Sequence, residues 1–292
     1  MALMTTAAGR RARLAAALLP ALSLTACGGS DDQETLVTRV SYLSLDPVNP
    51  LTVPAELRMP PGPARPAVVI VHGSSGIDSR GVSYAKELNA AGIATLEIDM
   101  WGARGISGAA GRPSGVPETL PDAYGALKFL AGLPSIDSKR IGIMGFSWGG
   151  VVTMLTATRP YTEQYMAGTG LAFVAHAPNY PVCWVYNRVP GYSFASLTGA
   201  KVFLQGGGLD TYDLPDTCPK LAEQATVPAG LLSVKMYADA THGFDRTEDP
   251  VTINDPFAHL GRGGPVLMTP NPAAAAQARA ATTAFFKTQF GL

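Results

Sequence analysis

Ile141-Gly142-Ile143-Met144-Gly145-Phe146-Ser147-Trp148-Gly149-Gly150 is the stretch on which the fold hinges. A short apolar run leads into it, and residues from Gly149 to Ala157 carry helical spacing after it. The serine therefore stands where a buried strand turns sharply into a helix. Such a turn brings backbone against backbone, so side chains at the flanking positions would collide and glycine is required there.

Working outward, similar apolar runs recur at Ala67 to Val71, Ile93 to Ile98, Leu171 to Ala175, Lys201 to Leu204 and Leu231 to Met236. Continuous runs of this length suit strands buried on both faces. Between them lie segments with helical spacing, Val82 to Ala91 and Leu120 to Ala131, with a final one at Ala273 to Phe290. The alternation predicts an α/β fold, a mostly parallel sheet with helices on both faces. Thr35 to Leu45 and Ala55 to Met59 instead alternate apolar and polar residues, which predicts antiparallel strands at the N-terminal edge. Gly102 to Pro117 and Asp249 to Pro272 are rich in glycine and proline and read as long surface loops bordering a site.

Composition narrows the function. Hydrophobic residues make up 47% of the chain and charged residues 15%, too little charge to keep it solvated and disordered. Lys and Arg number 22 against 22 Asp and Glu, so no basic surplus exists to hold a phosphate backbone, which argues against nucleic acid as a partner. Three cysteines without CxxC spacing make neither a disulfide scaffold nor a zinc site.

A serine hydroxyl is a weak nucleophile and needs a base within hydrogen-bond reach. Of the four histidines, His242 falls after the last predicted strand and before the terminal helix, where a base serving Ser147 is expected. His72 directly follows a strand and suits the shaping of an oxyanion loop, while His176 and His259 read as structural. The acid that orients the imidazole must come from a strand end between Ser147 and His242. Asp210, in Gln205-Gly206-Gly207-Gly208-Leu209-Asp210, is nearest such an end, with Asp213 and Asp216 as competitors. Two backbone N–H groups must face the developing oxyanion. Trp148, after the nucleophile, supplies one; Ser74 in His72-Gly73-Ser74-Ser75-Gly76 is expected to supply the other, with Ser75 in reserve.

These motifs together resemble the dienelactone hydrolase family of α/β-hydrolases, from about Ala55 to the C-terminus. The matching segments are the His72-Gly73 loop, Asp99-Met100-Trp101-Gly102, the Gly145 to Gly150 elbow, Gly207-Gly208-Leu209-Asp210 and Thr241-His242-Gly243-Phe244. The namesake enzymes carry a cysteine where Ser147 stands and a glutamate where Gly73 stands. The resemblance thus implies a serine esterase that cleaves small-molecule esters, with lactones and polyesters as further substrates and no cofactor or metal. Two other readings are a prolyl-oligopeptidase-like peptidase and a non-catalytic binding lipoprotein on the same fold.

The first 26 residues read as a signal peptide: Arg10, Arg11 and Arg13 precede an apolar stretch, Leu14 to Leu24, too short to cross a hydrocarbon core of about 30 Å. Leu24-Thr25-Ala26-Cys27 resembles the lipobox of bacterial lipoproteins, which makes Cys27 the lipidated N-terminus, residues 27–34 a linker and residues 35–292 the hydrolase domain. Cleavage removes three arginines and no acid, so the mature chain is mildly acidic and membrane attachment is by lipid alone. Gly28 after the cysteine points to the periplasmic face of the outer membrane, with a soluble periplasmic or secreted form as the alternative. That compartment permits disulfides, and Cys183 and Cys218, both in loops after strands, are expected to pair. Tyr180, Trp184, Tyr186 and Tyr212 flank these cysteines, and with Trp101 and Trp148 they are candidate walls of a substrate pocket.

Overall fold

A computed structural model describes residues 34–292. The expected signal peptide and Cys27 lie outside the described residues. The sheet has eight strands: β1 (Leu36–Leu43), β2 (Thr52–Met59), β3 (Arg65–Val71), β4 (Ala94–Ile98), β5 (Ile136–Phe146), β6 (Ala175–Asn179), β7 (Lys201–Gly207) and β8 (Leu232–Tyr237). Their order is β1-β2-β4-β3-β5-β6-β7-β8. From β4 to β8 neighbouring strands run parallel, whereas β1 pairs β2 and β2 pairs β4 in antiparallel register. The mostly parallel α/β sheet expected from the apolar runs is therefore present, antiparallel edge included.

The two faces of the sheet are covered by different helices. Along β3, Ala67, Val69 and Val71 join one core, and Val68 and Ile70 join the other. Both faces are buried, so no polar alternation is tolerated there. Helices α2 (Leu120–Ala131) and α3 (Trp148–Thr156) pack on the first face, where Leu127, Val152 and Leu155 are fully buried. On the second, α1 (Ser79–Ala90) contributes Tyr84 and Leu88, and the C-terminal helix Pro272–Phe290 contributes Ala278 and Phe286. Shorter helices α4 (Arg159–Met166) and α5 (Thr217–Gln224) complete the set. Helix α1 starts earlier than its apolar spacing predicts because Asp78 caps it, its carboxylate accepting the Arg80 N–H at 3.2 Å.

Two expectations need correction. The apolar run Leu171 to Ala175 is not the strand; the chain enters the sheet only at Ala175 and pairs from His176, opposite Ile143. Pairing with the end of β5 defines β6, and its residues His176, Pro178 and Asn179 look polar or strand-breaking although the whole strand is buried. The stretch Asp249 to Pro272 is likewise not a bare loop. It holds an antiparallel hairpin of β9 (Val251–Asp255) and β10 (Gly264–Met268), whose register opposes Asp255 to Gly264.

Two tests follow from this packing. A Cβ placed on Gly149 would collide with the carbonyls of Val71 and His72, which are backbone and cannot rotate away. Gly149→Ala should therefore lower unfolding stability in urea by about 1–3 kcal/mol. Burial also pushes the pKa of His176 and of His72 down to about 4. Both folded values lie below the unfolded value of about 6.5. The neutral imidazoles thus favour the fold: their contribution is complete above the unfolded value and is lost as pH falls toward 4. Urea midpoints should decline over that window, and His176→Leu should reduce the decline.

Candidate active site

Ser147 lies between β5 and α3 with φ 52° and ψ −110°, the left-handed region that a non-glycine residue enters only under constraint. The constraint is visible in the backbone. The Ser147 N–H donates to the Asn179 carbonyl at 3.0 Å, and the Ser147 carbonyl accepts the Val151 N–H at 2.8 Å. Around it, a Cβ at Gly145 would strike the Gly149 carbonyl and one at Gly150 the Asn179 carbonyl. With the Val71 and His72 carbonyls against Gly149, the elbow is a crossing of four backbone segments, β5, α3 and the ends of β3 and β6.

The ends of β7 and β8 bring the other two residues to it. His242 Nε2 lies 2.8 Å from Ser147 Oγ, and His242 Nδ1 lies 2.7 Å from Asp210 Oδ2. With the proton on Nδ1 donated to the carboxylate, Nε2 is left as acceptor for the serine hydroxyl. Asp210 is held in turn, because its Oδ1 accepts the Tyr212 N–H at 2.9 Å. The competitors are engaged elsewhere. Asp213 accepts the N–H groups of Cys183 and Trp184 at 2.6 and 2.8 Å, and Asp216 pairs with Lys220. Burial first, and then the Asp210 carboxylate, push the Asp213 pKa up to about 7.

His242 is buried between two aromatic rings, Tyr212 at 4.4 Å and Tyr180 at 4.8 Å between centroids. Tyr180 is itself fixed: its hydroxyl donates to Asp245 Oδ1 at 2.5 Å and accepts from Arg80 Nη1 at 3.0 Å. Asp245 also accepts the Tyr84 hydroxyl at 2.8 Å. This buried cluster behind the histidine leaves no local signal in the sequence, since its members come from three separate segments: α1 for Arg80 and Tyr84, the end of β6 for Tyr180, and the stretch after His242 for Asp245. Arg80 fills the space over Gly73, where a Cβ would meet its Nη2 at 2.9 Å. A glutamate at that position would have to displace it.

Trp148 is the first residue of α3, so its N–H has no intrahelical acceptor. Ser74 lines the same cleft as Ser147, in a tight turn closed by the Gly76 N–H donating to the Gly73 carbonyl at 3.0 Å. Trp101 Nε1 donates to the Ser74 carbonyl at 2.9 Å. His72 buttresses the turn, with Nδ1 2.7 Å from the Gly73 carbonyl and Nε2 accepting the Met100 N–H at 3.1 Å. The other histidines stand apart: His176 is in β6, and His259 Nε2 is 3.0 Å from the Pro265 carbonyl.

The cleft has valine walls, Val116, Val151, Val182, Val185 and Val189. Of the aromatic candidates, Trp148 and Tyr212 line it, whereas Trp184 and Tyr186 face a separate cavity and Trp101 backs the Ser74 turn. Cys183 and Cys218 form the expected disulfide, with Cα atoms 5.2 Å apart, but Cys218 stands in the first turn of α5 and not in a loop, so the bridge ties the valine-bearing segment to that helix. They and Asp213 are the one trio among the described residues with potential metal-ligand atoms in reach of one another, and its sulfurs are bonded together. Arg112 and Asp255 also line the cleft, from the two Gly/Pro-rich segments expected to border a site.

Comparison with known proteins agrees with this geometry at the level of the fold. A dienelactone hydrolase from Anabaena variabilis is 20% identical at a TM-score of 0.59, over 87% of this chain and 98% of that one. Thermogutta terrifontis esterase 2, solved phosphorylated by paraoxon, is 15% identical at a TM-score of 0.62, over 89% and 95%. A dienelactone hydrolase-like promiscuous phosphotriesterase from metagenomic libraries is 20% identical at 0.59, over 87% and 99%. No curated protein sequence matches the chain. The model of the dienelactone hydrolase family, however, matches residues 53–290, nearly the whole of the described domain. The chain therefore belongs to the dienelactone hydrolase family of α/β-hydrolases, enzymes that act on ester bonds.

Proposed function

We propose that the protein is a serine carboxylesterase in which Ser147 is the nucleophile, His242 the base and Asp210 the orienting acid. The observation that carries this reading is the unbroken hydrogen-bonded run from Ser147 Oγ through both ring nitrogens of His242 to Asp210. The Ser147 oxygen attacks the ester carbonyl carbon while His242 Nε2 takes the hydroxyl proton. The carbonyl π electrons move onto oxygen, which the N–H groups of Trp148 and Ser74 stabilise. As the oxyanion collapses, the C–O bond to the alcohol breaks and Nε2 returns the proton to the leaving alkoxide. Water then attacks the acyl-enzyme, giving a proton to Nε2, and the carboxylic acid departs as Ser147 regains its hydrogen.

Burial of His242 between Tyr180 and Tyr212 supports the same assignment, since an enclosed imidazole keeps a fixed orientation. In this reading the working location is the periplasmic face of the outer membrane. The Leu24-Thr25-Ala26-Cys27 motif and the disulfide both suit an exported enzyme anchored by lipid at Cys27.

Ser147→Ala should abolish hydrolysis of p-nitrophenyl acetate while leaving the thermal unfolding curve nearly unchanged. Asp210→Asn, which keeps the shape but favours the wrong imidazole tautomer, should lower kcat by about 10⁴-fold. Retained turnover in Ser147→Ala would remove the nucleophile assignment.

A further inference from the structure

The size and closure of the cleft carry a statement about the substrate. The cleft measures about 50 Å³. A single water-sized group needs roughly 10–15 Å³ by this measure, so there is room for about four such groups beyond the serine. Its walls do not yield easily. Val116, Val151, Val182 and Val185 are buried, and β-branched side chains have few rotamers with which to move aside.

An ion pair between two loops stands among the residues that line the cleft. Arg112 follows the short turn Ala109–Gly111, and its Nη1 donates to Asp255 Oδ2 at 2.8 Å. The guanidinium carbon stands 5.7 Å from the ring centre of Trp148 and 5.7 Å from that of Phe257, so it spans from the elbow to the hairpin. Both partners are well shielded, with side-chain exposures of 14% for Arg112 and 4% for Asp255. Asp255 is pinned further by the Phe257 N–H, which donates to its Oδ1 at 2.8 Å. A shielded pair with aromatic rings on two sides is costly to break, because either partner alone would be a charge left in a partly dry site.

We infer that the Arg112–Asp255 pair is a bar across the substrate cleft that restricts the enzyme to esters of short aliphatic acyl groups, of about two to four carbons. The inference rests on Ser147 being the nucleophile of an esterase, and it assigns Arg112 and Asp255 as specificity-determining residues. Acyl groups of this size fill the space between the valines, and longer chains meet the guanidinium. A hydrophobic cleft discriminates by roughly 10- to 200-fold per methylene that it cannot hold, which makes chain length a sensitive readout.

The test is kcat/KM on p-nitrophenyl acetate, butyrate, hexanoate and octanoate for the wild type and two variants. The double variant Arg112→Ala/Asp255→Asn removes the bar and leaves no unpaired charge, and Val189→Ala widens the valine wall without touching the pair. The wild type should favour acetate or butyrate over octanoate by at least about 10-fold, and the double variant, folded by its urea curve, should raise the octanoate-to-butyrate ratio by about 10-fold or more and by more than Val189→Ala does. A wild type that cleaves octanoate as well as butyrate overturns the inference. So does a preference for short chains that the double variant leaves unshifted, whatever Val189→Ala does. Absence of hydrolysis on every ester, in a folded wild type, instead overturns the serine-esterase reading on which the inference stands.

Discussion

The backbone crossing at the elbow is the constraint on which the rest depends. β5, α3, the end of β3 and the end of β6 approach so closely that carbonyls of Val71, Gly149 and Asn179 occupy the space a Cβ would need. Only glycine permits this approach at Gly145, Gly149 and Gly150. Ser147, at the apex of the turn, is forced to a positive φ that side-chain-bearing residues rarely adopt. Strain of this kind costs on the order of 1–3 kcal/mol and persists only where the surroundings over-determine it, here through four packed backbone segments. Its result is a hydroxyl raised above the sheet at the start of a helix.

Once the serine is fixed, the histidine must be fixed to match. It comes from a loop after β8, and a loop by itself holds an imidazole poorly. Two interactions make up the difference. Asp210 sets the ring in its plane through Nδ1, and Tyr212 and Tyr180 hold its faces. Tyr212 serves both, since its N–H steadies the Asp210 carboxylate and its ring packs against the imidazole. Tyr180 is anchored to Asp245 and Arg80, a buried charge network that leaves its hydroxyl no freedom. On the far side the disulfide joins α5, the helix that follows the Asp210 loop, to the segment carrying the valine wall. The acid, the base and the cleft thus share one scaffold.

How much of this was legible in the sequence depended on whether the signal was local. The elbow was legible because glycine spacing, an apolar strand and a following helix all lie within about one turn of chain. The sheet was legible because strands buried on both faces leave continuous apolar runs, as in Val68 to Val71. The placing of Asp210 and His242 needed only chain order and proximity to strand ends. β6 was misplaced because pairing, not apolarity, defines it, and His176 and Asn179 are buried polar residues that imitate a loop. Arg112 and Asp255 left no trace at all. They are 143 residues apart, and the Gly/Pro-rich segments that hold them are marked by composition as loops bordering a site, which singles out neither residue nor their pairing.

The central claim is that Ser147 is activated by His242 and is the atom that carries the acyl group. The direct measurement is peptide mass spectrometry after treating the protein with diethyl p-nitrophenyl phosphate, an ester whose phosphoryl group is trapped by an activated serine. The account predicts one diethylphosphoryl group per chain on the peptide containing Ser147, with esterase activity lost in proportion to labelling, and no label in His242→Ala. Loss of activity with the label on another residue, or unchanged labelling without His242, would contradict it.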